Sequence, residues 1–170
     1  MIQLRLVVAA CLLCLAPAAW ALKPGQATPA LSGPLLLGEG RSSLAQQRGK
    51  VVLVDFFASW CGPCAQSLPA LESLRADLQA RYPGRFEILA VNVDTDPAAG
   101  RKFVQRRAVS YPVISDPRNA LAKAYELPGM PSSYLVDAKG RIALVHEGFR
   151  SGDAAVLSQK IEALLTAGAP

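Results

Sequence analysis

Apolar residues fall along this chain in two rhythms. Val51-Val52-Leu53-Val54-Asp55-Phe56-Phe57-Ala58 and the stretch 86–93 are near-continuous β-branched and aromatic runs. Such runs suit strands covered on both faces. Between them Leu68, Leu71, Leu74 and Leu78 recur at spacings of three and four. That spacing predicts a helix over about 62–81 with one core face. Pro69 falls inside it, and Tyr82-Pro83-Gly84 closes it. A second helix is expected over 97–108, begun by capping residues around Asp94 and Asp96, then a short strand at 112–115 and a short helix at 117–125. The stretch 132–136, a Lys139-Gly140 turn and 141–146 read as a hairpin, and a last helix runs from near Ser151 through Leu165. Upstream, a lead-in rich in Pro, Gly, Ser and Thr precedes a short strand at 35–37 and a turn at Gly38-Glu39-Gly40. Ser43 is placed to cap a short helix ending at Gly49. Strands alternate with helices, and a hairpin plus helix closes the chain. That order predicts an α/β fold: one domain with a central mixed sheet and helices on both faces.

The first 21 residues stand apart. Arg5 precedes an uninterrupted apolar run over 6–15, and Ala19-Trp20-Ala21 places small residues where a signal peptidase reads them. This is the layout of a secretory signal peptide. The run is short of the ~20 residues of a comfortable membrane span. The expected division is therefore a signal peptide over 1–21 and one domain over 22–170, in the periplasm or otherwise exported. An uncleaved N-terminal membrane anchor is the alternative. Of 170 residues 51% are hydrophobic, enough for a buried core. The formal charge of +5 is spread without a basic stripe interleaved with aromatics, which points to a solvated surface and not to nucleic acid.

Four cysteines divide into two pairs of equal spacing. Cys11 and Cys14 lie in the apolar leader, so the exported domain keeps Cys61 and Cys64 alone. Two cysteines are too few for a stapled scaffold. A disulfide between them would close a very short loop, which gives little stability. Their spacing therefore favours redox chemistry. They sit where a buried strand turns into a helix, so unpaired N–H groups and the helix dipole favour a thiolate there. The thiolate is the attacking species in disulfide exchange. Gly62 permits a tight turn, and Pro63 suits a first helical turn. Asp55 interrupts the buried run, where an unpaired carboxylate is costly and its pKa is pushed upward.

The stretch Val54-Asp55-Phe56-Phe57-Ala58-Ser59-Trp60-Cys61-Gly62-Pro63-Cys64 resembles the active-site segment of thioredoxins, and its Trp-Cys-Gly-Pro-Cys core matches residue for residue. The resemblance implies that Cys61 attacks, that Cys64 resolves the mixed disulfide, and that Asp55 handles the proton of Cys64. Trp60, Gly62 and Pro63 would face the substrate. Gly129-Met130-Pro131-Ser132-Ser133-Tyr134 resembles the cis-proline loop of that fold. It implies that Pro131 lies against the cysteines and that Met130 pairs with a substrate strand. The lead-in and the extra helix and strand over 96–115 are similar to the TlpA/ResA, redoxin-type branch, with its N-terminal strand extension and its inserted helix and strand before the cis-proline. Many members of that branch carry a glutamate where this chain has Ser67. That departure weighs against a specific assignment to cytochrome c maturation, and Asp55 is the acid that remains.

Exported members of that branch act as reductases. The resemblance implies client proteins with disulfides, such as apocytochrome c or copper-site assembly proteins, and a membrane electron donor of DsbD/CcdA type. No cofactor and no metal is expected, because the dithiol itself carries the electrons. A disulfide oxidant or isomerase is the nearest rival, since an oxidising compartment maintains disulfides. The DsbA type has a large helical insertion and a histidine within its motif, and this chain has neither, since Gly62-Pro63 fills the dipeptide. A peroxiredoxin would want Thr or Ser where Ala58 stands. A copper chaperone would recruit the only histidine, His146, which the predicted hairpin places away from the cysteines.

Overall fold

A computed structural model describes residues 22–167. The leader with Cys11 and Cys14 lies outside the described residues. The central sheet has the strand order β5-β4-β3-β6-β7. Its members are β3 (Val51–Phe57), β4 (Phe86–Asn92), β5 (Val113–Ser115), β6 (Ser132–Val136) and β7 (Ile142–Glu147). β3 lies in the middle, parallel to β4 and antiparallel to β6. All seven of its positions are buried, which is why its sequence is continuously apolar and not alternating. Helix α1 (Cys64–Arg81) joins β3 to β4, α2 (Pro97–Arg106) joins β4 to β5, α3 (Ala120–Ala124) precedes β6, and α4 (Asp153–Ala167) closes the chain.

The two sheet faces hold different layers. Phe57 stacks on Phe103 of α2, and Leu68, Leu71, Leu74 and Leu78 of α1 are buried. Helix α4 packs beside α1 on the same layer. On the other face Phe56 meets Tyr125 and Tyr134 in a tilted and edge-to-face cluster. Asp55 shares the face of Phe57, because alternate strand residues point the same way.

Pro69 leaves a gap in the α1 ladder, because it has no N–H for the carbonyl of Ala65. Arg107, at the end of α2, fills that gap: its Nε donates to the Ala65 carbonyl at 3.0 Å while its guanidinium lies 4.4 Å from the Phe103 ring centre. The helix break thus becomes a link between α1 and α2.

Two expected elements shift. The strand expected at 35–37 lies earlier, as β1 (Ser32–Pro34) paired with β2 (Arg41–Ser43). The leucines seal the open edge of β5 instead: Leu36 N–H donates to the Val113 carbonyl at 2.7 Å and its side chain is buried. A Cβ on Gly33 would collide with Ile114, so this close approach needs glycine. Helix α3 starts later than 117 because Pro117 and the left-handed Asn119 form an entry turn. The buried Asp116 carboxylate caps it, accepting from the N–H groups of Ala120, Leu121 and Ala122 at 2.9, 2.9 and 3.0 Å. Ser43 does cap a short 3-10 turn, Leu44–Gln47, with Gln46 answering in a capping box.

The placement of His146 is corrected. β7 runs antiparallel to β6, so its last residues return to the end of the sheet where β3 finishes. His146 is the register partner of Ser133, which is in turn the partner of Asp55. Its Nε2 lies 3.1 Å from Asp153 at the start of α4.

Candidate active site

β3 ends at Phe57, and the chain turns through Ala58-Ser59-Trp60 into the cysteines. A buried carboxylate holds this turn. Asp94, just after β4, accepts from Ser59 N–H at 3.2 and 3.0 Å and from the Ser59 hydroxyl at 2.9 Å. Asn92 Nδ2 donates to the same group at 2.8 Å. With this anchor two residues before Cys61, the redox turn is tied to the rigid parallel pair β3–β4. The sequence suggested Asp94 only as a helix cap; the α2 cap is Asp96, whose side chain accepts from Ala98 N–H at 2.9 Å.

Cys61 and Cys64 are joined as a disulfide. α1 begins at Cys64 and not at Gly62, so Pro63 takes the capping position. The N–H of Cys64 donates to Cys61 Sγ at 3.2 Å. The first helical donor therefore points at the Cys61 sulfur, where a negative charge would be favoured. Cys61 is 5% exposed and Cys64 is 0% exposed, so an incoming group meets Cys61 first. Ser67 is buried one turn on, and its hydroxyl donates to the Cys64 carbonyl at 3.3 Å.

Asp55 is fully buried on β3. Burial raises its pKa to about 7, with the Ser133 hydroxyl pulling in the opposite direction. That hydroxyl donates to Asp55 Oδ1 at 2.7 Å, while Oδ2 has no hydrogen-bond partner among the described residues. Sequence reasoning passed over Ser133. Its only signal was a second serine in a strand otherwise apolar after Ser132.

The Met130–Pro131 peptide is cis. Pro131 is buried and Met130 half-buried. This loop enters β6 where Ser132 pairs with Phe56, beside the end of β3 from which the redox turn departs. The Pro131 carbonyl accepts from Gly148 N–H at 2.8 Å, and Ser132 Oγ donates to the Gly129 carbonyl at 2.8 Å. Trp60 is 70% exposed, so it extends outward from the turn. Gly62 and Pro63 are also exposed. The turn bearing Trp60, Cys61, Gly62, Pro63 and Cys64 thus shares one end of the sheet with Met130 and Pro131, with Asp55 inside the strand that leads to it. Among the described residues no group of three or more His, Cys, Asp and Glu side chains is placed to hold a metal ion.

The family model for Redoxin matches residues 23–161. The chain belongs to the redoxin family. This redoxin is 34% identical over 130 residues to the thioredoxin-like protein YneN of Bacillus subtilis, covering 75% of this chain and 73% of that one. It is 32% identical over 111 residues to the thiol-disulfide oxidoreductase ResA of Geobacillus thermodenitrificans. That match covers 65% of this chain and 62% of ResA, so the chain spans a little under two thirds of that relative. A Chlorobium tepidum structure solved as a candidate thiol:disulfide interchange protein DsbE superposes with a TM-score of 0.79 at 36% identity, over 85% of this chain and 99% of that one. A second thiol:disulfide interchange protein from Chlorobium tepidum TLS superposes at 0.71 with 26% identity, over 84% and 97%. This redoxin is a thioredoxin-fold thiol-disulfide oxidoreductase of the TlpA/ResA kind.

Proposed function

We propose that this redoxin is an exported reductase of disulfides in partner proteins, with residues 1–21 as its secretory signal and 22–170 as the working domain. The observation that carries the reading is the Cys61–Cys64 disulfide at the start of α1, with the Cys64 N–H on the Cys61 sulfur. In the reduced protein the Cys61 thiolate attacks one sulfur of a client disulfide and expels the other as a thiolate. A mixed disulfide on Cys61 results. Asp55 takes the proton of Cys64, and the Cys64 thiolate attacks Cys61 Sγ. The second client thiolate leaves, and two electrons have passed to the client. Trp60, Gly62, Pro63, Met130 and Pro131 form the surface on which the client segment lies, with Trp60 offering apolar area. The oxidised protein is then reduced again by a membrane carrier of DsbD/CcdA type. Clients of the apocytochrome c or copper-site assembly kind fit this cycle.

The test is the reduction potential of the Cys61–Cys64 pair in defined thiol buffers. A value below about −220 mV supports the reductase reading; one above about −150 mV makes the protein an oxidant or isomerase. Cys64→Ala should trap clients on Cys61, whereas Cys61→Ala should trap none. Equal trapping by both would reverse the assigned roles.

A further inference from the structure

Asp55 is flanked in the sheet by Ala90 on β4 and Ser133 on β6. Ala90 has no side-chain donor, so among the described residues the carboxylate depends on Ser133. Other polar groups on this face are committed elsewhere. The Tyr111 hydroxyl, on the connection from α2 to β5, has its pKa raised by burial first and by the Asp55 charge second, and it donates to the Leu68 carbonyl at 3.4 Å. The Ser67 hydroxyl is on the Cys64 carbonyl at 3.3 Å. His146, one strand beyond Ser133, meets Asp153 at 3.1 Å. Cys64 itself is held in the disulfide.

A carboxylate has two equivalent oxygens and a broad, two-fold terminal torsion. One donor at 2.7 Å removes that equivalence: Oδ1 is occupied, and Oδ2 is the oxygen left bare. We propose that Ser133 is a positioning residue for proton transfer at Cys64, fixing Asp55 through Oδ1 so that Oδ2 is the oxygen that receives and returns the proton. The inference rests on the reading of Asp55 as proton acceptor. When Cys64 gives up its proton, Oδ2 binds it and the Ser133 hydroxyl keeps its bond to Oδ1. When the proton leaves, the same hydroxyl stabilises the carboxylate. The Ser133 hydroxyl is spent on Asp55 Oδ1, so it acts through Asp55.

The experiment uses the full chain with Ser133→Ala, Ser133→Thr and Asp55→Asn. Two quantities are followed from pH 5 to 9. One is the titration of Asp55 in the reduced protein, read from its side-chain carboxyl carbon by NMR. The other is the single-turnover rate at which oxidised glutathione converts the dithiol to the disulfide. In the wild type, the rate should carry a pH limb that follows the Asp55 titration. In Ser133→Ala both should move up by about one pH unit, as for loss of a hydrogen bond to a charged acceptor. Ser133→Thr should return both toward the wild-type positions, because it restores the hydroxyl. Ser133→Ala with both quantities unmoved, while Asp55→Asn abolishes the limb, overturns the role of Ser133 and leaves that of Asp55 standing. A limb that survives Asp55→Asn, or an Asp55 titration that moves while the rate limb does not, overturns the Asp55 reading and this inference with it. If Ser133→Ala does not fold, Ser133→Val against Ser133→Thr makes the same comparison, since they differ by a methyl against a hydroxyl.

Discussion

Replacing Asp55 by Asn should make the oxidised protein more stable, by an amount that grows with pH. The carboxyl has a pKa of about 7 in the folded protein against a reference value of 3.8. The folded state therefore binds its proton more tightly than the unfolded chain does. Its contribution to stability is fully present below about pH 4 and is lost as pH rises through about 7. The separation of about 3 units corresponds to about 4 kcal/mol, with a slope of up to about 1.4 kcal/mol per pH unit across the window. Asn keeps the shape, can still accept from Ser133, and carries no charge at any pH. Urea unfolding of oxidised wild type and Asp55→Asn at intervals from pH 4 to 8.5 measures the difference directly, and the other carboxylates cancel. The two proteins should nearly coincide at pH 4 and differ by about 4 kcal/mol, in favour of Asn, at pH 8. A difference that stays constant across that range would show that burial does not hold the Asp55 proton, and the assignment of Asp55 as proton acceptor would lose its physical basis.

Three further outcomes are expected. Asp94→Ala leaves the Ser59 N–H, the Ser59 hydroxyl and the Asn92 amide without their acceptor, so urea unfolding should show a loss of about 2–3 kcal/mol, part of it recovered by Asp94→Asn. Pro69→Ala supplies an N–H that competes with Arg107 for the Ala65 carbonyl; a double-mutant cycle with Arg107→Met should therefore show a coupling of about 0.5–1 kcal/mol, and strict additivity would refute the link. Trp60→Ala removes a side chain that is 70% exposed, so stability should change by less than about 0.5 kcal/mol. Its kcat/KM should fall several-fold toward a protein disulfide and hold toward oxidised glutathione.

Much of the fold was legible because its signals are local. The continuous run of β3, the leucine spacing of α1 and the Ser43 cap each depend on neighbours in sequence. The redox motif was legible for the same reason, since its residues occupy one turn. What the sequence hid depends on pairing across the sheet. The leucines at 35–37 read as a strand, but their partner is the edge of β5, nearly eighty residues away. His146 read as remote because a hairpin alone does not tell which end of a sheet its second strand reaches; the β6–β7 register decides that. Asp94 and Pro69 were visible as residue types. Their partners, Ser59 and Arg107, were not, because each link crosses between elements.

The position where relatives of this branch are expected to carry a glutamate shows how one acid can serve the site. Ser67 is fully buried, and its hydroxyl is spent on the Cys64 carbonyl within the first turn of α1. A carboxylate buried there would need its own donor. Asp55 sits instead in β3, which is buried on both faces, where a single hydroxyl compensates one of its oxygens. Its environment is apolar enough to bring its pKa near neutrality, and polar enough at Oδ1 for ionisation to remain accessible. An acid in that balance can both take and return a proton near pH 7.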